Sequence, residues 1–341
     1  MATKTLLEDI KKPQIPPLLG IVLGLIILLV NLLYSVTLGA AQIPLEDILA
    51  SFVTFDGSYN HLVIQTVRLP RSLIAIFVGS ALAVAGALMQ GLTRNPLADP
   101  GILGIEAGAA LAVVASIFVF DSSSSSVLTI VALLGAGATA MLVYCLSSLG
   151  RGGATPLNLT VAGAAVTALI SSLTTAILIV SQRTLDEIRF WLAGSLSGRD
   201  INILLQVLPF VVIGLIVAFA LGRQITTMSL GEDVAKSLGQ QTAWIKIITV
   251  ISVVLLAGSS VALAGPIGFI GLVVPHMVRF FVKANYRWIL PYSAILGANL
   301  VLIADIAARI LLKPQELPVG VMTALLGAPF FVYLAKSKVK K

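Results

Sequence analysis

Charge, cysteine and histidine are all scarce in this sequence of 341 residues, and each scarcity closes off a class of function. Charged residues are 11% of the chain, where a soluble globular chain carries about a quarter. The single cysteine, Cys145, excludes a disulfide within the chain and any cysteine metal cluster. Lying in an apolar run, it reads as a small packing residue rather than a reactive thiol. The two histidines, His61 and His276, are too few and too far apart to build a metal-ligand cluster, so no bound metal is expected. No Gly-Lys dipeptide occurs, which excludes a P-loop in this chain. No paired carboxylates and no Ser/His arrangement suggest hydrolysis. The chain therefore does not read as an enzyme, and neither catalytic residues nor a cofactor are expected.

What the sequence has in quantity is apolar side chain: 58% of its residues, with a mean hydropathy of +1.03. That surplus makes the bilayer the solvent. The net charge of +7 does not point to nucleic acid, because Lys and Arg sit in short loops and at both ends with no interleaved aromatics. A spanning helix needs roughly 20 apolar residues. Apolar runs predict spans near 18–38, 72–92, 104–120, 127–147, 157–181, 201–221, 243–264, 267–281, 290–312 and 318–335, the eighth being short. The first is too long for a signal-peptide core and is read as a retained span. The expected fold is thus an all-α polytopic membrane protein, one transmembrane domain over 1–341, of about ten helices. These runs are too long and too uniformly apolar for barrel strands.

Lys and Arg counts set the orientation. With the N-terminus inside, the inner set is Lys4, Lys11, Lys12, Arg94, Arg151, Arg223, Lys236, Lys246, Arg279, Lys283, Arg287, Lys336, Lys338, Lys340 and Lys341, fifteen in all. The outer set is Arg68, Arg71, Arg183, Arg189, Arg199, Arg309 and Lys313, seven in all. Both termini are therefore expected in the cytoplasm, with residues 1–17 as a cytoplasmic N-terminal segment. The serine run Ser122 to Ser126 becomes a short outer loop.

A weak internal repeat accompanies this. Residues 79–86 read against 258–265 at an offset of 179, which Pro96 and Pro275 share, and residues 166–170 echo 322–326. In the predicted topology these pairs run in opposite directions, the inverted repeat of an alternating-access transporter.

Several polar words interrupt the apolar text. Arg68-Leu-Pro-Arg71 enters the second span from an outer loop, with proline tolerated at a helix start. Its arginines suit interfacial snorkelling or the carboxylates of an acidic partner. Asn95-Pro96 and Asp99-Pro100 must stop the second span in a rigid connector, with Glu106 just after it near the inner surface. Gly265, two further glycines, Pro266 and Pro275-His276 break or closely pack the seventh and eighth spans; His276 reads as a structural interface residue rather than a ligand. Asp305 and Arg309, at i and i+4, suit a local ion pair, and Glu316 suits the start of the last span. Between the sixth and seventh spans, 229–242 predicts a short helix capped by Ser229, opened by Glu232 and Asp233 and stopped by Gly239. Val234, Ala235 and Leu238 would form its apolar face, shaped for another protein's groove.

These words in this order resemble one family, the permeases of ATP-binding-cassette (ABC) importers for ferric siderophores, haem and vitamin B12. The matching words are Arg68-Leu-Pro-Arg71, Gly86 to Gln90, Asn95-Pro-Leu-Ala-Asp99-Pro100, Leu230-Gly231 to Leu238-Gly239, Gly265 to Pro275-His276, Asp305 to Arg309, and Glu316-Leu-Pro-Val-Gly320. They run from 68 to about 330, nearly the whole chain.

The resemblance implies a type II importer permease working as a dimer with a second copy or a paralogue, in a bacterial inner membrane and in contact with its lipid. It implies a cytoplasmic ABC ATPase docking on the coupling loop at Gly231, Glu232, Asp233, Ala235, Leu238 and Gly239. It implies an extracytoplasmic substrate-binding protein whose acidic residues meet Arg68, Arg71 and Arg309, and a small outer helix within 185–198. The expected cargo is an iron complex, ferric siderophore first, with cobalamin or haem as the alternative. An ion-coupled secondary transporter and a structural membrane scaffold are the rival readings.

Overall fold

The computed structural model describes residues 16–39, 43–120, 124–149, 154–312 and 315–339. The expectations placed on 1–15, on Ser122, Ser123, Arg151 and Lys313, and on Lys340 and Lys341 lie outside the described residues. All described secondary structure is helical.

The described helices begin with α1 (Pro17–Thr37), followed by two short ones, α2 (Leu45–Val53) and α3 (Tyr59–Val63). A wide π turn, Ile64–Arg68, joins α3 without a break to α4 (Leu69–Thr93). After the connector come α5 (Ile105–Phe120), α6 (Ser125–Ser148), α7 (Pro156–Val180), α8 (Gln182–Leu192), α9 (Ile201–Ala220), α10 (Gly222–Ser229) and α11 (Glu232–Ser237). The last four are α12 (Thr242–Ala264), α13 (Ile270–Val282), α14 (Tyr286–Ile310) and α15 (Val319–Val339). Among the described residues seven helices are long and apolar enough to cross a membrane: α1, the continuous Tyr59–Thr93, α6, α7, α9, α12 and α14. Shorter apolar helices at α5, α13 and Val319–Val332 complete ten, matching the ten predicted runs.

The core is built around α4, which is enclosed along almost its whole length by α14, α12 and α13. With no water to drive association in lipid, close packing of small residues must do it. At Gly79 on α4 a side chain would run into the main chain of Gly297 on α14, and at Gly86 into that of Gly271 on α13. At the other extreme α1 is mostly exposed and leans on α14 through polar contacts. Asn31 donates to Asn299 at 2.8 Å and the Tyr292 hydroxyl to the Pro17 carbonyl at 2.8 Å.

Helix directions follow from who meets whom. At 1.5 Å per residue the 25 residues of α4 span about 37 Å. Arg68 and Arg71 therefore mark one end of the bundle, the arginine end, and Arg94 the other. Arg94 lines a crevice with Glu232 and Lys246, so residues 229–242 and the start of α12 sit at that second end, the loop end. Hence α4 and α12 run in opposite directions, and so do α7 and α15, as an inverted repeat requires. The repeat is not literal, however. Gly86 is a mid-helix contact, whereas its counterpart Gly265 (φ +74°) terminates α12 where a side chain would strike the Trp191 carbonyl.

Four sequence expectations need correction. Arg68-Leu-Pro-Arg71 is not a loop entry; it lies inside a helix running from Tyr59, with a π turn over Ile64–Arg68 directly ahead of Leu69 and Pro70. Cys145 is exposed on α6 and packs no core. The outer helix between the fifth and sixth spans covers Gln182–Leu192 rather than 185–198. Ser229 does not cap a helix; its hydroxyl donates back to the Thr226 carbonyl at 2.6 Å, while Gly231 stands at the start of α11.

Candidate functional site

Two polar constellations stand at opposite ends of the bundle. At the arginine end α4 and α14 bring Arg71, Asp305 and Arg309 together, and the chain before α15 adds Glu316. Asp305, fully buried, receives Arg71 at 2.9 Å, and its Oδ2 lies 3.1 Å from Arg309 Nε. Arg71 reaches on to Glu316 at 2.6 Å. Glu316 is thus an ion-pair partner rather than the helix cap expected of it.

The other donors are turned toward α1, whose last carbonyls have no partner inside the helix and carry its negative dipole end. Arg68 donates to the Val36 and Thr37 carbonyls at 2.8 Å each. Arg309 donates to the Ser35 and Leu38 carbonyls at 2.9 and 2.8 Å, and to the Ser35 hydroxyl at 2.6 Å. That hydroxyl in turn meets Ser72 at 2.7 Å. All three arginines predicted to receive a partner are buried and hold internal acceptors. Only Glu316 in this network shows substantial exposure, 34% of its side chain.

In the last third of α4 the word Gly86 to Gln90 acquires a physical reason, together with the Gly271 to Pro275 part of the word Gly265 to Pro275-His276. Pro275 has no N–H, so the carbonyl four residues earlier, Gly271, loses its helical donor. Gln90 supplies one, its amide lying 3.2 Å from the Gly271 carbonyl and 3.3 Å from that of Leu272. Arg279 donates to the Gln90 oxygen at 2.6 Å and to the Tyr286 hydroxyl at 3.0 Å, which fixes the amide's orientation. Sequence reading assigned Gln90 and Arg279 no such role; a lone Gln in an apolar run whose partner span carries a proline was the available signal. His276 stands beside this seam with Phe280 and Phe330 edge-on at 5.5 and 6.0 Å. Among the described residues no group of three or more His, Cys, Asp and Glu could hold a metal.

The connector packs onto the same seam. Arg94 (φ 54°) ends α4, Asn95 accepts from the Leu97 N–H at 3.0 Å, and Asp99 caps the turn at Pro100–Leu103 by accepting from Gly101 at 2.9 Å. Pro96 and Pro100 hold it against helical continuation, and Pro100 lies against Gly271.

At the loop end α11 is tied down through one residue. Glu232 meets Lys246 of α12 at 2.8 Å and Lys236 at 3.2 Å, and accepts from Thr242 at 3.3 Å. The Lys246 hydrogen bond leads in holding its carboxyl far below the ordinary range, at about 2. Ala235 is fully buried beneath it. The expected apolar face splits accordingly: Ala235 turns into the bundle, while Leu230, Val234 and Leu238, spaced by four, are exposed. Asp233 and Lys236 flank them, and Gly239 (φ +81°) ends the turn.

The pattern of the FecCD transport family matches residues 27–337. The probable siderophore transport system permease protein YfiZ of Bacillus subtilis (strain 168) is 49% identical over 92% of this chain and 94% of its own length. The Fe(3+)-citrate import system permease protein YfmD of the same organism is 43% identical over 94% and 95%. A solved inward-facing conformation of a metal-chelate type ABC transporter superposes with a TM-score of 0.83 at 30% identity, covering 93% of this chain and 98% of that one. A family match across nearly the whole length, close relatives and the shared helical architecture agree, and the chain belongs to the FecCD transport family.

Proposed function

We propose that this chain is the membrane channel subunit of an ABC importer that takes up an iron complex, a ferric siderophore or ferric citrate type of chelate, by alternating access driven by a partner ATPase. The relatives are named for siderophore and Fe(3+)-citrate transport, which supports that cargo class. The observation that carries the coupling is the loop end. Leu230, Val234 and Leu238 are exposed apolar side chains on a segment that Glu232 and Lys246 lock to α12. Exposed apolar side chains on a rigid base suit insertion into another protein's groove. Force applied there passes through the Glu232–Lys246 pair into α12, which packs against α4.

The protein is a multi-pass membrane protein, and in this reading its loop end faces the cytoplasm. The N-terminal end of α1 and the C-terminal end of α15 lie at that end, in keeping with the excess of Lys and Arg assigned there. The arginine end then meets the extracytoplasmic binding protein. Because Arg68, Arg71 and Arg309 already hold internal acceptors, docking there takes the form of exchange. An acidic residue of the binding protein competes with half-exposed Glu316 for Arg71. A second copy or a paralogue completes the pathway.

The test is assembly. Leu238→Glu changes an exposed side chain and leaves the bundle intact, so the permease should remain folded and dimeric while its ATPase no longer co-purifies. Full retention of the ATPase in Leu238→Glu and in Val234→Glu would remove the loop end from the coupling interface.

A further inference from the structure

Near the arginine end, between α8 and the chain leading to α15, lie two adjoining cavities of about 400 and 310 Å³. They share Ser197, Gly198, Arg199 and Glu316; Trp191 lines the first, Thr66 and Arg71 the second. Volumes of this size suit small-molecule groups rather than whole side-chain surfaces. The charges facing them are almost all spoken for. Glu316 is held by Arg71 at 2.6 Å, and Glu187 by Arg183 at 3.1 Å. Asp200, next to Arg199 in sequence, accepts from the Ile203 N–H at the start of α9 at 3.0 Å and also attracts the Arg199 guanidinium through space, without a hydrogen bond to it.

Arg199 differs from every other guanidinium at this end. Its Nε is shut off from solvent and has no acceptor. A buried donor on a charged group is costly to leave unmade, and native structures seldom leave one without a reason. The residue as a whole is part-exposed and lines both recesses, each large enough for a ligand group, where the accessible edge of its guanidinium would meet an anionic oxygen.

We propose that Arg199 reads the cargo: its guanidinium receives an anionic oxygen of a negatively charged iron chelate entering these cavities. This rests on the iron-complex reading above and adds a charge preference to it. Chelates built on carboxylate oxygens gain a partner at Arg199, and uncharged chelates do not.

The experiment uses the full-length wild-type permease and its variants in nanodiscs, with no ATP, and measures equilibrium binding of radioiron as ferric citrate and as an uncharged ferric trihydroxamate. Arg199→Gln should weaken ferric citrate binding by about tenfold or more, the loss of one charge-assisted contact. Arg199→Lys should recover part of it, and trihydroxamate binding should not change. Equal loss for both chelates would mean a structural role and overturn the proposal, as would unchanged citrate binding or a wild type that binds neither chelate. A third arm measures binding-protein affinity for the same nanodiscs. If Arg199→Gln lowers that affinity while chelate binding stays intact, the anion is a carboxylate of the binding protein and the proposal fails. Because no arm requires transport, a wild type that binds citrate through Arg199 but imports no iron would sink the importer reading alone.

Discussion

Removing Arg71 would leave Asp305 fully buried with one cation instead of two, and would release Glu316 as well. Breaking a buried pair by deleting one partner typically costs about 3–5 kcal/mol. Arg71→Gln should therefore lower thermal stability in detergent sharply, whereas Glu316→Gln, on a carboxylate 34% exposed, should cost little. If Arg71→Gln unfolds at the wild-type temperature, the network is not a structural tie. Gln90→Leu tests the seam in the same way. It leaves the Gly271 carbonyl without a donor, a loss of about 1–3 kcal/mol, visible as a lower melting temperature. At this scale the sequence was legible where partners are close in it. Asp305 and Arg309, four apart on one helix, were readable as a pair. Arg68 and Arg309 were readable as charges but not as caps of α1, because their acceptors are main-chain carbonyls that no side-chain pattern marks.

Among elements, α11 hangs on Glu232, and its chemistry sets a pH window. The carboxyl is depressed from 4.5 to about 2 in the folded chain. Its contribution is thus complete above about pH 4.5 and is lost as pH falls toward about 2. Protection of the 229–242 amides against hydrogen exchange, taken relative to the intrinsic rate at each pH, should be unchanged from neutral pH to about 5 and should fall below that. In Lys246→Met, which removes the leading cause of the depression, the loss of protection should begin at higher pH. Identical profiles for variant and wild type would show that Lys246 does not hold the loop. Gly265 is the second lever. Gly265→Ala places a side chain at φ +74° against the Trp191 carbonyl. A strained backbone alone costs about 1–3 kcal/mol, so α8 should shift or the protein destabilise. The loop helix was legible from its acidic start and its Gly stop, but Ser229 was misread as its cap. The adjoining α10 runs up to Ser229 and supplies a nearer carbonyl for that hydroxyl.

In the whole molecule, hydropathy alone placed all ten apolar helices, because a lipid solvent demands long uniform runs and penalises everything else. It also placed the short eighth one, but not why it is short. Gly86, the contact for Gly271, lies 17 residues into α4, about 26 Å from its start. So α13 begins well inside the bundle, after a non-helical stretch of 265–269, and has only the remaining depth to cover. The inverted arrangement of α4 and α12 was legible from a repeat of small residues, while the cavities around Arg199 were not, since they arise where three distant segments meet. The central claim is that ATP-driven motion enters this fold at the exposed apolar side chains of the loop end and moves an iron chelate. Its most direct test is radioiron uptake into proteoliposomes holding the permease pair and its ATPase, with the binding protein and ferric chelate outside. Uptake should require ATP on the ATPase side, persist with an uncoupler present, and fall to background in Leu238→Glu while the permease pair stays assembled. Accumulation that needs no ATP and collapses with the uncoupler, or that continues unchanged in Leu238→Glu, would contradict it.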